Sequence, residues 1–96
     1  MGATLPISET QIENGTFRVT RWELEPGDTI PAHVHEHEYV VVPLTEGTLW
    51  ATATDGTETA VELSIGISYA RPAGASRTVE NRGTAWIMFV EIETLS

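Results

Sequence analysis

The chain has 96 residues, room for a single domain spanning 1–96. Its 14 acidic and 5 basic residues give a net charge of −9, which disfavours nucleic acid and anionic membrane surfaces as partners. There is no Cys and every basic residue is Arg, so disulfides, thiolate chemistry, Cys-type metal sites and lysine Schiff bases are excluded.

Met1 to Thr10 carries neither the basic patch nor the apolar run of a secretory signal. No segment approaches the roughly 20 apolar residues that span a bilayer, so a cytoplasmic location is expected. Helical periodicity is almost absent. Short runs of β-branched and aromatic residues recur instead, broken by Gly, Pro, Asn and Asp. They predict strands near Thr16–Glu25, Ile30–His35, Glu38–Leu44, Thr48–Ala53, Glu58–Glu62, Ile67–Ala70, Arg77–Asn81 and Ala85–Glu93. Asp55-Gly56 is the best candidate for a two-residue hairpin turn. Short strands at this spacing predict an all-β fold, a small antiparallel barrel or jelly roll. The run from Ala85 to Val90 is continuously apolar and reads as buried on both faces. One face would fill the barrel and the other would pack on a second sheet or a second subunit. Glu91 and Glu93 alternate with Ile92 and read as half exposed.

All three histidines fall in one pentapeptide, His33-Val34-His35-Glu36-His37, followed by Glu38 and Tyr39. Residues i and i+2 of a strand share a face, about 7 Å apart, so His33 and His35 can converge on one ion. His37 lies about 13 Å from His33 along a straight strand and joins them only if the chain bends. Glu38 offers an oxygen ligand after the same bend. Imidazole and carboxylate together suit Zn, Fe, Mn or Ni. Taken alone, a His-x-His pair on a strand is more often two polar residues than a metal site. Arg77 on its strand faces either the pocket or solvent, since a one-residue register slip exchanges the two. Arg71, before Pro72, is either a second cation at the pocket mouth or a solvated surface residue. Tyr39 is a phenolic donor or a packed aromatic. Tyr69, Trp50, Trp86, Met88 and Phe89 line either a pocket or a plain core.

The residues around the histidines resemble the cupin superfamily. Its first motif sets five residues between a glycine and His-x-His, then a glutamate and a closing glycine. Gly27, His33 and His35 follow that pattern, and Gly47 closes it one residue late. The glutamate position falls on Tyr39 or Val40, with Glu38 displaced from it by one residue. Its second motif is matched by Gly66, Pro72-Ala73-Gly74 and Asn81, with Arg77 where the family places its last histidine ligand. The resemblance covers Gly27 to Asn81. It implies a small β-barrel with a divalent metal ion on His33, His35 and Glu38, and His37 as a spare ligand. If Glu38 faces inward, Val40, Val42 and Leu44 line the barrel behind it. Arg77 has no lone pair to give a metal, so it implies a small organic anion held beside the ion, or a site that has lost its metal. Tyr39 would join Arg77 in holding that anion. Likeness to small dimeric cupins implies a homodimer through an Ile87/Phe89 outer face. Cupins include dioxygenases, isomerases, decarboxylases and lyases, so the resemblance does not choose a reaction. A metal-free binding or sensing module and a structural dimer remain open beside the metal-binding reading.

Overall fold

The computed structural model describes residues 4–95. Nine strands follow in chain order: β1 Ile7–Glu13, β2 Phe17–Leu24, β3 Thr29–Val34, β4 Tyr39–Pro43, β5 Gly47–Ala53, β6 Glu58–Leu63, β7 Tyr69–Arg71, β8 Ser76–Glu80 and β9 Ile87–Thr94. They form two antiparallel sheets, ordered β1-β2-β9-β4-β7 and β3-β8-β5-β6. The fold is the all-β jelly roll that the strand spacing predicts. No helix among the described residues is long and apolar enough to cross a membrane.

The two sheets bury one apolar face each. Leu24, Ile30, Tyr39, Val41, Leu49, Leu63, Ile87 and Phe89 form the core between them. Burying side chains of this size contributes about 1.5–3 kcal/mol each. In β4 the buried residues are Tyr39, Val41 and Pro43, so Val40, Val42 and Leu44 are not the barrel lining. In β9, Ile87 and Phe89 are 3% and 2% exposed and point into the barrel. They cannot form the expected outer dimer face. The same alternation carries inward to Glu91 and Glu93.

Two further differences concern local chain chemistry. β1 was absent from the predicted strands, and each of its residues is exposed. It is held by backbone pairing to β2. The β5–β6 hairpin forms at Asp55-Gly56, but its loop runs from Thr54 to Thr57. Gly56 takes a left-handed φ of 91°, and Asp55 accepts a hydrogen bond from the Thr57 N–H at 2.9 Å.

The second glycine-rich stretch positions the barrel mouth. Gly74, at φ 92°, donates its N–H to the His35 carbonyl at 2.8 Å. Asn81 is fully buried and donates from Nδ2 to the carbonyls of Leu24 and Ala85, at 3.0 and 2.9 Å. Its Oδ1 accepts from the Gly83 N–H at 3.0 Å. One amide thereby satisfies three buried or half-buried backbone groups where β8 leaves its sheet.

Candidate functional site

His33 is at the end of β3 and His35 is one residue beyond it. Their ring centroids are 4.5 Å apart, as the i, i+2 spacing predicts. His33 Nδ1 is 3.0 Å from the Pro31 carbonyl oxygen. A carbonyl only accepts, so this nitrogen carries the proton and, in the neutral ring, Nε2 keeps its lone pair. His35 Nδ1 is 3.3 Å from Glu93 Oε2, which orients the second ring the same way. Burial lowers the His35 pKa, against the raising hydrogen bond to Glu93, while the charges of His33 and Arg77 lower it further.

Arg77 is the cross-strand partner of His33 in the β3–β8 ladder. A direct cross-strand pair projects to one face of its sheet, and here that face is the barrel interior. A small cavity of about 20 Å³ is lined by His33, His35, Tyr39, Arg77, Glu91 and the apolar residues Ile30, Ala75 and Val79. Tyr39 is stacked on His35 with centroids 4.0 Å apart. Burial pushes the Tyr39 phenol up, while the Arg77 guanidinium beside it pulls the other way. Arg77 has no carboxylate within ion-pair distance among the described residues.

Glu91 is the residue that sequence reasoning missed. It accepts a hydrogen bond from Trp22 Nε1 at 3.2 Å, and burial pushes its carboxyl up to about 7. The signal for it was the phase of β9, since an inward Ile87 and Phe89 require an inward Glu91. Outside the small cavity a groove of about 500 Å³ opens between β2 and the His33–His37 segment, with His37, Glu36, Trp22 and Arg18 on its walls.

The structure therefore brings together His33, His35, Tyr39 and Arg77. His37 is at the rim, in the bend between β3 and β4. Glu38 is exposed and does not line the cavity, because the inward phase of β4 begins with Tyr39. No group of three His, Asp or Glu side chains gathers closely enough to hold a metal ion among the described residues. Tyr69 and Phe89 do line the interior, whereas Trp50 is outside it, beneath the Arg82 guanidinium.

No family model matches the sequence. The Beta-alanine degradation protein BauB of Pseudomonas aeruginosa is 38% identical over 92 residues, covering 96% of each chain. A cupin domain from Bordetella pertussis is 36% identical and superposes with a TM-score of 0.94 over 100% of this chain and 99% of that one. The chain belongs to the cupin superfamily. A double-stranded β-helix protein of Klebsiella pneumoniae, 23% identical, shares the fold with a TM-score of 0.78 over 94% of this chain and 76% of that one. Within this cupin, Tyr39 and Arg77 line the same small cavity as His33 and His35. The polar lining is two imidazoles, one phenol, one guanidinium and the Glu91 carboxyl. The imidazoles suit a divalent ion, and the guanidinium does not.

Proposed function

We propose that this small cupin binds a small organic anion in its barrel, held by Arg77, with His33 and His35 as the residues that would hold a divalent metal ion beside it. The observation that carries the reading is Arg77 itself. A cation without a carboxylate partner among the described residues faces a half-enclosed cavity in a chain of net charge −9. Removing a guanidinium from water without a counter-charge is costly, and an incoming carboxylate offsets that cost with charge-assisted hydrogen bonds. Tyr39 supplies a phenolic O–H beside it. The imidazoles support the metal half of the reading, because a held Nδ1 presents the Nε2 lone pair. With no third protein ligand gathered among the described residues, an oxygen of the bound anion and solvent would complete the coordination. The anion would then also stand between the ion and Arg77 and remove their repulsion. Such an ion would supply Lewis-acid chemistry.

The experiment is metal content by mass spectrometry on untagged protein, with titration of short carboxylic acids on the same samples. About one ion per chain in the parent, and none in His33→Ala/His35→Ala, is expected. Carboxylate binding that is unchanged in the double variant, with no ion in either protein, would leave a metal-free anion pocket and overturn the metal half.

A further inference from the structure

The five arginines divide into two groups. Arg18 pairs with Glu13 and Glu93, Arg21 with Glu9 and Glu23, and Arg82 with Glu58 and Glu80. Arg71 and Arg77 pair with no carboxylate among the described residues. Fourteen acidic side chains are present in the chain, so a shortage of partners is not the cause.

Both unpaired arginines reach the same interior space. Arg71 is the cross-strand partner of Tyr39 in the β4–β7 ladder, and Tyr39 points inward. Arg71 therefore projects to the interior side of its sheet. Its guanidinium lies over the Tyr69 ring, 4.9 Å from the centroid, a cation–π contact that fixes its direction. Arg77 enters from the opposite sheet. A cavity of about 40 Å³ is lined by both, together with Tyr39, Tyr69, Glu91 and apolar side chains such as Val41 and Phe89. Glu91 is engaged by Trp22 and forms no ion pair with either arginine. Each guanidinium acts electrostatically on both phenols, which places the two charges around one space.

We infer that Arg71 is a second anion subsite and that the barrel takes a short dianion, such as a small aliphatic dicarboxylate, one carboxylate on Arg77 and the other on Arg71. This rests on the anion-binding reading of Arg77 given above and narrows it. Two like charges converging on a small apolar-walled space repel each other unless opposite charge enters between them. A dianion neutralises both, and the small volume selects a short linker. The phenols of Tyr39 and Tyr69 add donors at either end. An ammonium in place of the second carboxylate would meet Arg71 as a like charge and be rejected.

The test is calorimetric titration of the 96-residue protein at pH 6.5, where the Glu91 carboxyl, pushed up to about 7, is mostly protonated, with malonate, succinate and glutarate against butyrate and 3-aminopropanoate. The best diacid is expected to bind about 10- to 100-fold more tightly than butyrate, the gain of one added charge-assisted contact. 3-Aminopropanoate is expected to bind more weakly than butyrate. Arg71→Gln should erase the diacid gain and leave butyrate within twofold of its parent value, whereas Arg77→Gln should weaken both. Arg71→Lys, which keeps the charge, should retain part of the gain and so separates loss of the subsite from loss of the fold. Diacids no tighter than butyrate, with butyrate binding still dependent on Arg77, would overturn the second subsite alone. An equal loss of both ligands in Arg71→Gln would overturn it too. Failure of every acid to bind the parent protein would overturn the Arg77 reading and this inference with it.

Discussion

Arg77 and Tyr39 line one small cavity with His33 and His35, and each bears on what the barrel can hold. Arg77 brings a fixed cation with no lone pair, and Tyr39 a phenol whose proton burial retains. The carboxyl that does face the interior, Glu91, is pushed up to about 7 by burial. Its ordinary value is 4.5, so between these pH values the folded chain holds a proton that the unfolded chain has released. Stability contributed by that proton is full below about 4.5 and is lost as pH rises through 7. In metal-free protein, Glu91→Gln should flatten the fall in stability across this window and leave the variant more stable at pH 8 by about 2 kcal/mol, discounted for partial exposure. Urea melts at pH 5 and pH 8 check it. Curves for parent and variant that stay parallel across the window would contradict the interior placement of a carboxylic acid. Glu91 was hidden in the sequence because a charged residue in an alternating stretch is ordinarily on the outer face.

At the scale of elements, the strands themselves were largely legible, because β-branched runs and turn residues alternate regularly. The turn glycines and Asn81 were legible too, through motif spacing. β1 was not, since Ile7–Glu13 has every residue exposed and offers no apolar face to read. Phase was the weakest part. Placing Glu38 inward moved the whole of β4 by one residue, which exchanges Val40 and Val42 for Tyr39 and Val41. Two residues test the element-level account. Asn81→Ala leaves two carbonyls and one N–H, buried or half-buried, without their partner and should cost about 3 kcal/mol. Gly47 has a left-handed φ of 152°, and a Cβ there would meet Ile87 Cδ1 at 3.1 Å. Gly47→Ala should therefore destabilise by about 1–3 kcal/mol through strain and overpacking. Chemical denaturation of both variants measures the losses, and a change under about 0.5 kcal/mol in Asn81→Ala would contradict the amide's role.

Across the whole molecule, charge is distributed against its overall sign. The exterior carries most of the 14 carboxylates and the three paired arginines, while the two unpaired arginines point between the sheets. That inversion is the basis on which an anion site in the barrel is proposed, and it was only half visible beforehand. Motif spacing marked Arg77, whereas Arg71 needed the β4–β7 register. The most direct measurement is a nuclear magnetic resonance titration of labelled protein with succinate, following the Arg77 Nε–Hε signal, the imidazoles of His33 and His35 and the ring of Tyr39. These signals should shift together and saturate with one affinity, and the Arg77 Nε–Hε should exchange more slowly with water once a carboxylate covers it. Shifts confined to the outer faces of the sheets, with Arg77 and Tyr39 unchanged at saturation, would contradict an anion site inside the barrel.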